Sequence, residues 1–161
     1  MYFKIKKMSL TTNKKKKCLH EVDEKTKQNK CYLVLSDEEK AKGFVRPVRD
    51  KYIHVGRQYP EGLKEELAEP YESETTGKIY VAIMSVLDGK GGTYITQEEY
   101  DQWKKTGYVG GCGVETKMNE LIAETYARDP GFYTSTFCVG CKEHLPVGEF
   151  IWKDTTEKVG S

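Results

Sequence analysis

Hydrophobic positions in this chain come in short runs separated by polar and glycine-rich breaks, and the runs alternate between strand-like and helix-like spacing. Cys31-Tyr-Leu-Val-Leu35 is an apolar stretch that predicts a strand. Ser36 with Glu39 three positions on has the spacing of a capping box, so a short helix is expected to open there and to stop at Gly43. Phe44-Val-Arg-Pro-Val48 reads as extended, because proline disfavours helix at Arg46. Tyr52-Ile-His-Val55 reads as another strand.

Beyond Gly56 the pattern changes. Residues 57–77 are acidic, contain Pro60 and Pro70 and few large apolar side chains, and read as a mobile loop. Ile79-Tyr-Val-Ala-Ile-Met-Ser-Val86 carries the strongest strand signal in the chain. Asp88-Gly-Lys-Gly-Gly92 reads as a turn after which Tyr94-Ile95 pairs back. Thr96 with Glu99 is a second capping box, opening a helix through Trp103 that Gly107 ends. Lys104 and Lys105 complement the dipole of its last turn. Thr116 is a candidate cap for a third helix, in which Met118, Leu121, Ile122 and Tyr126 share one face. Asp129-Pro-Gly131 ends it. The aromatic segment with Phe132, Tyr133, Phe137, Phe150 and Trp152 then predicts short strands.

This order of elements predicts an α+β fold with three parts. Residues 1–17, with Lys14, Lys15, Lys16 and Lys17, read as a disordered basic arm, and Met8 could equally be the start. Residues 18–55 and 110–161 form the domain proper. Residues 56–109 form an insertion made of the acidic loop and a strand-turn-strand-helix unit. Hydrophobic residues are 37% of the chain and charged residues 32%. Such an apolar-poor chain gains from a cross-link or metal that holds its core. Lys and Arg number 26 against 25 Asp and Glu, which argues against a protein that coats nucleic acid generally. There is no apolar run long enough to span a bilayer and no secretory signal pattern, so a cytoplasmic, reducing location is expected. In that setting the five cysteines read as thiols or metal ligands rather than disulfides.

The chemistry centres on Cys138-Val-Gly-Cys141. Two residues between the cysteines let both thiolates reach one ion, and a tight turn aims backbone amides at the sulfurs. A structural zinc needs about two more ligands. Cys112, in Gly110-Gly-Cys-Gly113, is the best of the remaining candidates: its glycines permit a knuckle-like turn, and a helix is expected just beyond it. His54, at a strand end, is a plausible fourth, with His144 as the alternative. Cys18, His20 and Cys31 are a candidate second site, although three ligands do not close a zinc. An exposed thiol and a strand cysteine is the simpler reading of that trio. Leu145-Pro-Val-Gly148 argues against a helix after Cys141, and therefore against a redox C-x-x-C.

The chain resembles a group of small phage- and prophage-encoded proteins of no assigned role. The similarity lies in Lys42-Gly-Phe-Val-Arg-Pro-Val-Arg49, Tyr52-Ile-His-Val55, Gly111-Cys-Gly113 and Thr116-Lys-Met118. It continues in Ala123-Glu-Thr-Tyr-Ala-Arg-Asp-Pro130, Phe132-Tyr133, Thr136-Phe-Cys-Val-Gly-Cys141, His144-Leu-Pro-Val147, Glu149-Phe150, Trp152 and Val159-Gly-Ser161. The resemblance covers residues 31–55 and 110–161. It implies a zinc-ribbon-like site made by His54, Cys112, Cys138 and Cys141. In the relatives the histidine and the single cysteine are close in sequence, whereas here residues 56–110 lie between them. Gly56 and Gly110-Gly111 must then meet in space, which loop-closure entropy allows at about 0.6 kcal/mol per doubling of length.

Three functional classes follow. The first is a non-enzymatic binding module with a structural zinc, engaging a host or phage protein inside an infected bacterium. The second is a nucleic-acid-binding zinc ribbon, using Lys14–Lys17, Arg46 and Arg49 on phosphates, with Tyr52 or Trp152 stacking on bases. The third is a zinc- or thiol-dependent enzyme. For that class the sequence offers no nucleophile-elbow serine. Glu143 and Glu149 read as solvated surface carboxylates. Gly89-Lys-Gly-Gly92 lacks phosphate-loop spacing.

Overall fold

The structure is a computed structural model and describes residues 9–58, 64–85 and 92–161. In chain order these residues form β1 (Ser9–Thr11), a 3₁₀ turn (Lys17–His20), β2 (Cys31–Leu33), α1 (Asp37–Lys40), β3 (Lys51–His54) and β4 (Gly56–Gln58). Next come β5 (Lys64–Glu72), β6 (Ile79–Ser85), β7 (Gly92–Thr96), α2 (Gln97–Thr106), β8 (Tyr108–Gly110), β9 (Glu115–Lys117) and α3 (Glu120–Arg128). The chain ends with β10 (Ser135–Cys138), β11 (Glu143–Pro146), a 3₁₀ turn (Val147–Glu149) and β12 (Phe150–Trp152). The class is α+β, with short strands and short helices. The chain divides into two compact units, one of residues up to His54 with Gly113–Ser161, the other Val55–Cys112.

The first unit is built on a three-stranded antiparallel sheet in the order β12-β3-β9, with Tyr52 opposite both Trp152 and Thr116. Helix α3 supplies Ile122, Ala123 and Tyr126 to a core with Val34, Tyr52, Met118, Phe150, Trp152 and Val159. Aromatic edges do much of the filling: Trp152 stands edge-on to both Tyr52 and Tyr126, with centroids at 6.4 and 5.7 Å. Burial lifts the Tyr52 phenol to about 12, and its hydroxyl donates to the Phe137 carbonyl at 2.5 Å. That bond ties the central sheet to the β10-β11 hairpin.

Thr116 does not cap α3. It lies in β9, and the cap is Asn119, whose side chain accepts from the Leu121 amide at 2.9 Å. Pairing with Tyr52 holds Thr116 extended, so the helix can start only after it. Leu121 consequently faces outward at 38% exposure, while Ile122, Ala123 and Tyr126 face the core.

The basic segment is ordered from Ser9 onward, which corrects the expectation of a disordered arm for residues 9–17; the first eight lie outside the described residues. Ser9, Leu10 and Thr11 pair in parallel with Cys31, Tyr32 and Leu33. Cys18 and Cys31 form a disulfide across a sequence separation of 13. Their Cα atoms lie 5.4 Å apart, within disulfide range, because the 3₁₀ turn folds back on β2. The expectation that all five cysteines are thiols or ligands is therefore corrected for this pair.

The second unit is a three-stranded antiparallel sheet, β5-β6-β7, with α2 and β8 packed on one side over Ala82, Met84, Ile95 and Val109. Thr96 and Glu99 make both hydrogen bonds of the capping box, and Gly107 ends α2 in the left-handed conformation. Residues 64–72 are a strand, not the expected mobile loop. Pro70 is accommodated because the pairing with β6 shifts register between Glu66 and Tyr71, on an edge strand. Parts of the expected loop (59–63) and of the expected turn at 88–92 (through residue 91) lie outside the described residues. At the base of this unit β4 pairs with β8, Gly56 opposite Gly110. Gly56 has φ +94°, and a Cβ there would lie 2.2 Å from the Val109 carbonyl oxygen, so this approach needs glycine.

Candidate metal centre

Each ligand position has a local cause. Cys138 is the last residue of β10 and Cys141 sits in the four-residue turn before β11. The turn closes through the Lys142 amide donating to the Cys138 carbonyl at 2.8 Å. Lys142, with φ 56°, rather than Gly140 takes the left-handed position. The Cys141 amide points at the Cys138 Sγ at 3.4 Å, the N–H to sulfur geometry expected around a ligand thiolate. The Val139 amide is held by Thr116 Oγ1 at 3.1 Å, which fixes the hairpin turn against β9.

His54 closes β3, where its partner across the sheet is Phe150. It is 2% exposed, with its ring 4.9 Å from that of Phe150. Nε2 lies 3.1 Å from Glu149 Oε1. A neutral imidazole that donates from Nε2 to this carboxylate presents its lone pair on Nδ1, as a metal ligand must. Nδ1 is the atom that faces Cys141 Sγ, at 3.5 Å. The chain returns at Gly113, whose amide donates to the His54 carbonyl at 2.9 Å, and this sets Cys112 beside His54 despite the residues between them in sequence.

The four donor atoms of His54, Cys112, Cys138 and Cys141 lie within 4.8 Å of one another. Around a tetrahedral zinc, with bonds of about 2.0 Å to nitrogen and 2.3 Å to sulfur, the nitrogen–sulfur separation would be about 3.6 Å. The observed 3.5 Å between His54 Nδ1 and Cys141 Sγ fits that edge. One imidazole and three sulfurs form a donor set that suits a borderline-soft divalent ion. The group can therefore hold a metal ion. His54 and Cys138 are buried, Cys141 is half-buried and Cys112 is exposed, so the cluster reaches the surface on the Cys112 side. Cys112 is followed by β9, not by the expected helix.

His144 is not in this group. Its Nε2 meets the Tyr32 hydroxyl at 2.8 Å, and it packs on Phe137, because β11 pairs it opposite that residue. Burial pushes its imidazole below the usual histidine range. The second candidate site is also corrected: Cys18 and Cys31 share a disulfide and have no thiolates to offer, and His20 is exposed on the 3₁₀ turn. Of the two arginines expected at phosphates, Arg46 is exposed and Arg49 half-buried, and each donates to groups of its own chain. Arg46 donates to the Ser161 and Val45 carbonyls. Arg49 donates to Glu157 and lies 5.0 Å over the Trp152 ring. Tyr52 and Trp152, expected to stack on bases, are core residues. Lys14, Lys15, Lys16 and Lys17 are exposed.

Glu149 is the residue that sequence reasoning missed. It reads as a surface carboxylate, yet its side chain is 18% exposed and pairs with the candidate ligand histidine. What places it there is the sheet register, which sets Phe150, the next residue, opposite His54, and no sequence signal announces that. Comparisons with protein-family models, with curated proteins and with solved structures give no match. Among the described residues no helix is long and apolar enough to cross a membrane.

Proposed function

We propose that this protein is a non-enzymatic binding module whose first unit is held by one structural zinc on His54, Cys112, Cys138 and Cys141. The supporting observation is the convergence of the four donors within 4.8 Å, with His54 oriented by Glu149. Four protein ligands fill a tetrahedral zinc and leave no position for a reactive water, which is the mark of a structural rather than a catalytic ion. The ion would join the β10-β11 turn, the end of β3 and the return of the chain at Cys112, three points that the sequence leaves far apart. The resemblance to phage and prophage proteins extends the reading to a zinc-ribbon-like module acting on a host or phage protein during infection of a bacterium.

Metal analysis of protein purified without added metal tests the proposal. About one zinc per chain is expected, and cobalt substitution should give the intense visible absorption of a tetrahedral thiolate-rich site. Cys138→Ser should lose the ion and destabilise the first unit. A Cys138→Ser variant that keeps both its metal and its stability would overturn the site.

A further inference from the structure

The solvent face of the sheet in the second unit carries three tyrosines in mutual contact. Tyr71 stacks on Tyr80 and on Tyr94, with ring centroids at 6.4 and 5.3 Å, and Tyr80 meets Tyr94 at 5.6 Å. The register explains the contact. Tyr71 is directly opposite Tyr80, and Tyr94 comes alongside because β6 shifts register against β7 between Tyr80 and Ala82. Such cross-strand pairs support a small sheet. Support of the sheet does not account for their exposure, however. Tyr71 is 47% exposed and Tyr94 46%.

The charge beside this platform is one-sided. Between residues 64 and 78 the sequence has five glutamates against two lysines. Glu69, Glu72 and Glu74 are exposed, and among the described residues none of the three is in an ion pair. Glu69 lies two residues before Tyr71 and Glu74 lies in the turn that joins β5 to β6, while Glu72, opposite Ile79, alternates to the other face. Phosphate backbones are repelled by such a rim. A cation is drawn to it twice, by the carboxylates and by the negative faces of the rings. The exposed ring faces and edges would cover the aliphatic stems of Lys or Arg.

We propose that the tyrosine face of β5-β6-β7 docks an Arg- and Lys-rich segment of a protein partner. The inference rests on the binding-module reading and names its partner class, but it does not depend on the metal. The test uses the full chain, a short Arg-rich peptide, a Glu-rich peptide of equal length and a single-stranded oligonucleotide. Calorimetry at low salt gives affinities, and chemical-shift mapping locates the contact. The Arg-rich peptide alone should bind and should shift the Tyr71, Tyr80 and Tyr94 rings. Its affinity should weaken about tenfold in a Tyr71→Leu, Tyr94→Leu double variant, which keeps apolar bulk without the ring faces, and should change little in Tyr71→Phe, Tyr94→Phe. Equal binding by the Leu variant, no binding at low salt, or oligonucleotide binding at these rings would overturn the proposal. Metal content measured on the same samples keeps the two readings apart: unchanged zinc without peptide binding sinks only this one.

Discussion

At the scale of single residues the decisive contact is the one between Glu149 and His54. A carboxylate on the far nitrogen of a ligand histidine fixes its tautomer and ring plane and raises its basicity, and loss of such a partner costs about 10–100-fold in metal affinity. Glu149→Ala should therefore weaken zinc binding by about that factor, measured by competition with a chromophoric chelator, with far-UV circular dichroism unchanged while the site is loaded. Glu149→Gln, which keeps an acceptor but not the charge, should fall between. Wild-type affinity in Glu149→Ala would remove Glu149 from the site. The ligand residues were legible from the sequence to unequal depth. Cys138 and Cys141 announce themselves by their spacing. Cys112 and His54 carry only residue type, flanking glycines and a strand end, because what unites them is a sheet register and the Gly113–His54 hydrogen bond. Glu149 carries no pattern at all, since a carboxylate's partner depends on which strand returns beside it.

At the scale of elements, local signals with a self-contained cause were readable. The α2 capping box, the Ser36 cap on the Glu39 amide and the stop at Gly107 are set by residues within one turn of each other, whereas the Glu39 side chain turns to Lys42 and leaves the α1 box half-made, and α1 ends at Ala41 before Gly43. Elements that depend on a distant partner were not. Strand β5 has the composition of a loop, and it exists because β6 offers it a ladder and a bulge that absorbs Pro70. The Cys18–Cys31 disulfide was hidden for a different reason: no local pattern brings residues 18 and 31 within disulfide distance, which depends on the fold of the 3₁₀ turn onto β2. This cross-link fastens the 3₁₀ turn to β2, which pairs with β1. A closed loop of this length constrains the unfolded chain by about 3 kcal/mol. Replacing both cysteines with serine should lower unfolding stability by about that amount in urea titrations. Zinc content should stay at one per chain, because neither cysteine belongs to the candidate centre. A loss of metal in this variant would tie the two sites together and contradict their separation.

At the scale of the whole molecule, the chain is a core domain opened between His54 and Gly113 to admit a second compact unit. The net charge of +1 conceals a division. Residues 57–109 contain ten acidic and six basic residues, so the remainder of the chain stands at +5. The insertion thus offsets most of the basic character that led to a nucleic-acid reading, and it carries the tyrosine face that favours cations instead. Because Gly56 and Gly110 are direct partners across β4 and β8, a two-residue Asn-Gly turn can replace residues 57–109 without moving either end. The shortened protein should still bind one zinc, since all four candidate ligands remain. It should also gain affinity for generic DNA at low salt relative to the full chain, with a steep decline as salt rises, because its charge is no longer balanced. Fluorescence anisotropy across a salt series measures this directly. If the shortened protein holds zinc but gains no DNA affinity, the insertion's charge has no masking role. If it holds no zinc, the ends of the insertion do more for the metal centre than bring Cys112 back to His54.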